Sequence, residues 1–186
     1  MSTAFDFQRL WSDSERILRE PKSFFSSMPV SGGFADPVVR AAVYGLAAGL
    51  VNLIWGIFGL GHGRMMTSFG GLGIGGLVGM PLMALAGVFV GGAVLWLAAR
   101  LCGAQPGYEA AARASAACQV LLPVRAAFNL FHAASPSLGL ALGVALNLFG
   151  AWLAYNALAS ALGAEERKAR VAGVVLAVLS LAGMAS

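Results

Sequence analysis

Charge is scarce in this chain. Asp, Glu, Lys and Arg make up 11% of its 186 residues, apolar residues make up 59%, and the mean hydropathy is +0.79. A soluble domain of this length needs a polar shell that so few charges do not provide. Cysteine is scarce too: Cys102 and Cys118 are too few for a disulfide framework and carry no metal spacing, so both are expected as free thiols. Strand-type alternation is missing, and so is any short apolar core near the start that would mark a cleavable signal peptide. None of the eight acidic residues lies deep in an apolar run, which removes the carboxylate relay of a proton-coupled carrier. Without a serine-hydrolase elbow, a Walker loop or paired intramembrane carboxylates, no enzyme, cofactor or metal centre is expected.

What is present is a string of long apolar segments. Crossing a bilayer as a helix takes roughly 20 mostly apolar residues. Spans are expected from about Val38 to Leu60, Gly73 to Leu101, Tyr108 to Phe131 and Leu138 to Leu162, with a short fifth from Val171 to Met184. The fold class is therefore an all-α integral membrane protein, with residues 1–37 as a cytoplasmic amphipathic helix and linker and 38–186 as a five-helix transmembrane domain. Positive charge sets the orientation. With the N-terminus in the cytoplasm, ten Lys and Arg residues fall inside and only Arg64 outside, which leaves the C-terminus outside. The same bias explains the net charge of +4 without a nucleic-acid partner.

In the N-terminal segment Phe7, Leu10, Trp11, Ile17 and Leu18 recur near helical spacing, with Arg9, Asp13, Arg16 and Glu20 opposite them. Ser12 and Glu15 fit a capping box, Pro21 ends the helix, and Ser23 to Pro37 reads as a linker. Such a helix lies on the inner leaflet or folds back onto the spans.

Lipid gives helices no hydrophobic reason to associate, so small residues on shared faces carry the packing. Gly45, Gly49, Asn52, Gly56 and Gly59 line one face of the first span, and Gly75, Gly79, Gly87 and Gly91 form two GxxxG pairs in the second. Pairing of these two spans is expected, although the same faces would serve a homodimer. Gly71 to Gly76 fits GxGxxG, but it opens a membrane span rather than a βαβ unit, so it reads as packing. Glu165 to Arg170 fits EExxxR, similar to the first motif of intramembrane CAAX-type proteases, yet no His or Asn follows it. It reads as a charged cytoplasmic turn. His62 and His132, with Met65 and Met66, read as solvated rather than metal-binding.

Arg125 stands out as a charge inside a span, about 9 Å below its outer end. Cys118, Arg125, Asn129 and His132 share its helical face. Two readings stay open. Arg125, Asn129, Gln119 and Asn147 form a lipid or small-solute site, or Arg125 bonds carbonyls freed by Pro123 or Pro81.

The run Trp11 to Phe25, with Ile17-Leu18, Pro21 and Phe24-Phe25, then a linker and five spans, resembles a small bacterial member of the Yip1 domain family. So does the third span, where Gly107-Tyr108 and an Ala-rich stretch lead into Leu121-Leu122-Pro123. The resemblance implies five helices, a cytoplasmic N-terminus, membrane-adaptor or organising behaviour in a bacterial inner membrane, and a mid-span kink at Pro123 that frees a carbonyl near Gln119. Its expected partners are membrane lipids and a protein partner or second copy. The family's Gly-Tyr pair before the proline is Cys118-Gln119 here, and the Asp-Leu-Tyr-Gly-Pro signature is missing, so Rab GTPase partners do not carry over. The alternative function is a lipid or solute transport component built on Arg125.

Overall fold

The computed structural model describes residues 6–58 and 74–185, and their regular structure is helical throughout. The expectations for Gly59, His62, Arg64, Met65, Met66 and the Gly71 to Gly73 part of the glycine motif lie outside the described residues. Helix α1 (Phe7–Arg19) is followed at once by α2 (Pro21–Ser27) and then by α3 (Ala35–Ile57), α4 (Ile74–Leu101) and α5 (Tyr108–Cys118). After a short break come α6 (Leu121–Ala134), α7 (Pro136–Asn156) with a π-helical turn at Ala157–Ala161, and α8 (Glu166–Ala185). Among the described residues four stretches are long and apolar enough to cross a membrane: α3, α4, α5 with α6, and α7 with its π-turn. The expected fifth span corresponds to α8, which is 20 residues long but opens in the charged Glu166-Arg167-Lys168 run.

Exposed side chains identify the solvent of this fold. Leu46, Leu50, Ile54 and Ile57 form an apolar stripe on the outside of α3, and Val78, Leu82 and Val90 do the same on α4. In water such a surface would drive aggregation; in hydrocarbon it is the wetted face.

The helices run up and down. A Cβ on Gly45 would stand 2.6 Å from the Pro81 Cα and 2.8 Å from the Met80 carbonyl oxygen, and one on Gly49 would stand 2.7 Å from the Gly76 carbonyl oxygen. Rising numbers on α3 meet falling numbers on α4, so the pair is antiparallel and in backbone contact. Only glycine permits that approach. Gly45 and Gly49 therefore face α4, and that face of α3 is occupied within the chain. A Cβ on Gly79 would meet nothing within 4 Å. The contact runs through Gly76, Leu77, Met80 and Pro81 instead, three residues round the helix. Gly56 is exposed, and Gly75 is half-buried.

The second glycine pair serves another neighbour. Gly87 lies against Gln119, just past the end of α5, Gly91 lies against Ser115 of α5, and a Cβ on Gly92 would stand 2.9 Å from the Ala112 Cα. Helix α5 is the centre of the molecule, with every residue from Ala110 to Ala117 buried. It docks on α4 through side-chain donors aimed at main-chain carbonyls: the Tyr108 hydroxyl to Phe89 at 2.8 Å, the Ser115 hydroxyl to Gly87 at 3.1 Å, and Gln119 Nε2 to Ala84 at 2.8 Å. An alanine helix contributes little apolar area, so close packing and these bonds hold it.

Pro123 interrupts the third span more sharply than a kink. The Gln119, Val120 and Leu122 N–H groups donate three residues back, to Ala116, Ala117 and Gln119, and α6 starts afresh with Pro123 in its first turn. The Gln119 carbonyl that proline deprives of its partner is thereby reclaimed at 2.9 Å by Leu122.

Two N-terminal expectations are corrected. Helix α1 begins before Ser12: Asp6 Oδ1 caps it by accepting the Gln8 and Arg9 N–H groups at 3.0 and 3.1 Å, while Ser12 lies mid-helix and bonds the Arg9 carbonyl. There is no Ser12–Glu15 capping box. The supposed linker after Pro21 is partly helical, because proline at the first position starts α2 and its Phe24 and Phe25 side chains are buried. They join Leu153, Leu158 and Leu162 at the end of α7 in the main core.

Candidate functional site

Apart from Arg125, the described charged side chains of the bundle gather at one end, where α3 begins, α4 ends, α5 begins and α7 ends. Against that basic end lies α1. Leu10 and Ile17, seven residues apart, are buried beneath it. Between them Ser14 Oγ shares a hydrogen bond of 2.7 Å with the Tyr44 hydroxyl of α3. Next to this contact Arg40 Nη2 donates to Asp13 Oδ2 at 2.7 Å. The pair is largely buried, its side chains 11% and 15% exposed, with the Phe24 ring 5.9 Å from the guanidinium. Arg40 Nη1 is buried and bonds nothing among the described residues.

Arg113, buried on α5, organises the segment between α2 and α3. Its Nη2 donates to the Gly33 carbonyl at 2.8 Å and its Nε to Glu109 at 3.1 Å, with Asp36 at 3.5 Å from Nη1. Glu109 in turn accepts the Gly33 N–H at 2.6 Å. Gly32 and Gly33 both have positive φ, and a Cβ on Gly32 would stand 2.9 Å from Arg113 Nη2, so glycine is required there.

Arg9, Asp13, Arg16, Asp36, Arg40 and Arg113 border a cavity of about 90 Å³, closed by Phe24, Ser27, Met28, Pro29 and Ala117. In the sequence Arg40 and Arg113 stand only among the positive charges that set topology. The available signal was their depth: each sits five residues inside its helix, beyond the first turn, where an arginine needs a partner.

The residues singled out in the third span are distributed rather than gathered. Asn129 Nδ2 meets Asn52 Oδ1 at 3.3 Å and Trp55 Nε1 donates to the Ala126 carbonyl at 3.0 Å, so this face ties α6 to α3. Gln119 faces α4, and its Oε1 is buried without a partner among the described residues. Asn147 Nδ2 donates to the Gly143 carbonyl of its own helix at 2.9 Å. Arg125 is exposed and forms no ion pair or hydrogen bond among the described residues. His132 packs where α6 turns into α7, against Gly139. Cys102 and Cys118 are free thiols, and no group of three or more His, Cys, Asp or Glu able to hold a metal occurs among the described residues.

An all-helical membrane bundle with a broken, proline-bearing third span now has a sequence counterpart: the family model described as Yip1 domain matches residues 16–186. The chain belongs to the Yip1 domain family. No curated protein and no solved structure matches it. The Yip1 domain match begins at Arg16, inside α1, so the helix that docks on the basic end is partly within the family's boundaries. Within the Yip1 domain, Pro123 and the Tyr108 to Cys118 helix form the centre of the fold.

Proposed function

We propose that this Yip1 domain protein does no chemistry of its own and acts as a membrane adaptor or organiser, holding a short helix at the inner leaflet of a bacterial cytoplasmic membrane. The observation that carries this reading is the fixed posture of α1. Its buried side is fastened to the bundle through Ser14 and Asp13, while Phe7 and Trp11 on the adjoining side are 62% and 69% exposed. Arg9, Arg16 and Arg19 lie on the remaining face. A helix with an apolar flank and an arginine flank suits the headgroup boundary, where the ring of Trp11 enters the acyl region and the guanidinium groups meet phosphates. Protein partners would approach the solvent face, and a second copy would meet the lipid-facing stripes.

In this reading α8 is the fifth crossing. Gly173 lies 3.1 Å from the Tyr155 Cβ by the measure used above, and the Tyr155 hydroxyl meets Glu166 at 3.2 Å, which supports an antiparallel pair with α7. The basic end faces the cytoplasm, with the N-terminus inside and the C-terminus outside.

The test is the depth of Trp11. With Trp55, Trp96 and Trp152 replaced by Phe, Trp11 fluorescence in vesicles should be quenched most by lipids brominated near the top of the acyl chain. Quenching by aqueous iodide alone would sink the interfacial reading.

A second reading concerns Arg125, whose exposure and lack of a partner among the described residues favour a lipid phosphate at the opposite leaflet. Arg125→Gln should remove a co-purifying phospholipid seen by native mass spectrometry and leave Tm within about 2 °C, as expected of an exposed side chain. An unchanged lipid complement with lowered Tm would return Arg125 to a packing role.

A further inference from the structure

We infer that the cavity at the basic end is a binding site for a phosphate-type oxyanion, reached from the headgroup region or from the aqueous phase. Its volume of about 90 Å³ is several times the roughly 10–15 Å³ needed to hold one water. Four guanidinium groups and two carboxylates border it, a net excess of two positive charges. The carboxylates are already engaged. Asp13 accepts from Arg40 at 2.7 Å, and Asp36 faces Arg113 at 3.5 Å. Glu109, outside the cavity lining, takes a further share of Arg113 at 3.1 Å.

What remains is donor capacity. Arg40 is 9% exposed, and its Nη1 is buried and makes no hydrogen bond among the described residues. A buried charged donor left unsatisfied is costly, so its retention at a cavity wall points to an acceptor that completes it. Arg9 forms no ion pair among the described residues, and Arg16 gives only a long hydrogen bond of 3.3 Å to Ser27. Arg9 and Arg16 on α1 and Arg40 on α3 border one volume from different elements. Arginine at several points around an enclosed space suits a tetrahedral oxyanion, which accepts several charge-assisted hydrogen bonds at once. The apolar wall of Phe24, Met28 and Ala117 fits the first carbons beyond a phosphoester as well as it closes over free phosphate.

The site is independent of how deep Trp11 sits. It is tested on the full chain in neutral detergent by thermal unfolding at constant ionic strength, with sodium chloride as the screening control. Inorganic phosphate is one probe. The other is short-chain phosphatidylglycerol, compared with diacylglycerol of the same chain length. A saturable rise in Tm with inorganic phosphate assigns the site to the free anion, and a rise with phosphatidylglycerol alone assigns it to a headgroup. Either outcome supports the inference if Arg9→Gln/Arg16→Gln, which removes only α1 side chains bordering the cavity, weakens the apparent affinity about tenfold or more. That double variant should keep its ligand-free Tm. The inference is overturned if neither probe exceeds its control, or if the double variant responds like the parent. Arg40→Lys, which keeps the charge but removes the second nitrogen, should weaken binding by a similar factor.

Discussion

Gly45→Leu should lower the Tm of the protein in detergent by roughly 6–12 °C, the shift that ~3 kcal/mol gives a chain of this size. The cost arises because the obstacle is main chain. A side chain at Gly45 meets the Pro81 Cα at 2.6 Å and the Met80 carbonyl oxygen at 2.8 Å, neither of which turns aside by changing rotamer. Helices α3 and α4 must separate, and hydrocarbon offers no hydrophobic force to restore them. Gly49→Leu should behave alike, since the Gly76 carbonyl stands 2.7 Å away. Gly79→Leu is the control. It belongs to the same GxxxG pattern but projects into open space, so its Tm should stay within about 2 °C. Equal losses at Gly45 and Gly79 would show that the helices pair on a different face.

Asp13→Ala should free α1 from the bundle while leaving the spans intact. Removing one partner of a buried ion pair costs about 3 kcal/mol, because the other charge stays behind in the low-dielectric contact. Arg40 cannot shed its proton to escape that penalty. Asp13 is moreover the only carboxylate bonded to Arg40 among the described residues. Hydrogen exchange should accelerate across Phe7–Ser27 and trypsin should cut at Arg16, Arg19 and Lys22, with protection of α4 and α5 unchanged. Asp13→Leu combined with Arg40→Met should restore much of the protection, since an apolar pair of similar volume removes the stranded charge. If the single change left the N-terminal segment protected, the Ser14–Tyr44 contact and the buried Leu10 and Ile17 would suffice to hold it.

The sequence made the spans legible because length and hydropathy alone determine them. The expected Gly73 to Leu101 stretch became Ile74–Leu101, and Leu138 to Leu162 became Pro136–Asn156 with its π-turn. The face of the first helix was legible for the same reason: Gly45 and Gly49 recur at a spacing that only helix geometry explains. Which face of the second helix answers it was not legible. Gly79 and Gly76 both suit close approach, and the choice depends on how Pro81 fits against Gly45. The basic-end cavity was hidden for a different reason. Asp13, the Asp36–Arg40 turn and Arg113 are far apart in sequence, and only tertiary packing brings them to one volume. Each alone reads as a solvated or topogenic charge. Arg125, conspicuous for its position, has no partner among the described residues, whereas Arg40 passed as one of ten similar charges and has the unsatisfied nitrogen.

The π-turn at the end of α7 couples the N-terminal helices to the last part of the core. Phe24 and Phe25 pack into a core completed by Leu153, Leu158 and Leu162, and Asp13 closes on Arg40 only when α1 lies across the helix ends. The seat of α2 is therefore built from the far end of α7, so any change that unwinds the turn at Ala157–Ala161 also uncovers Phe24 and Phe25.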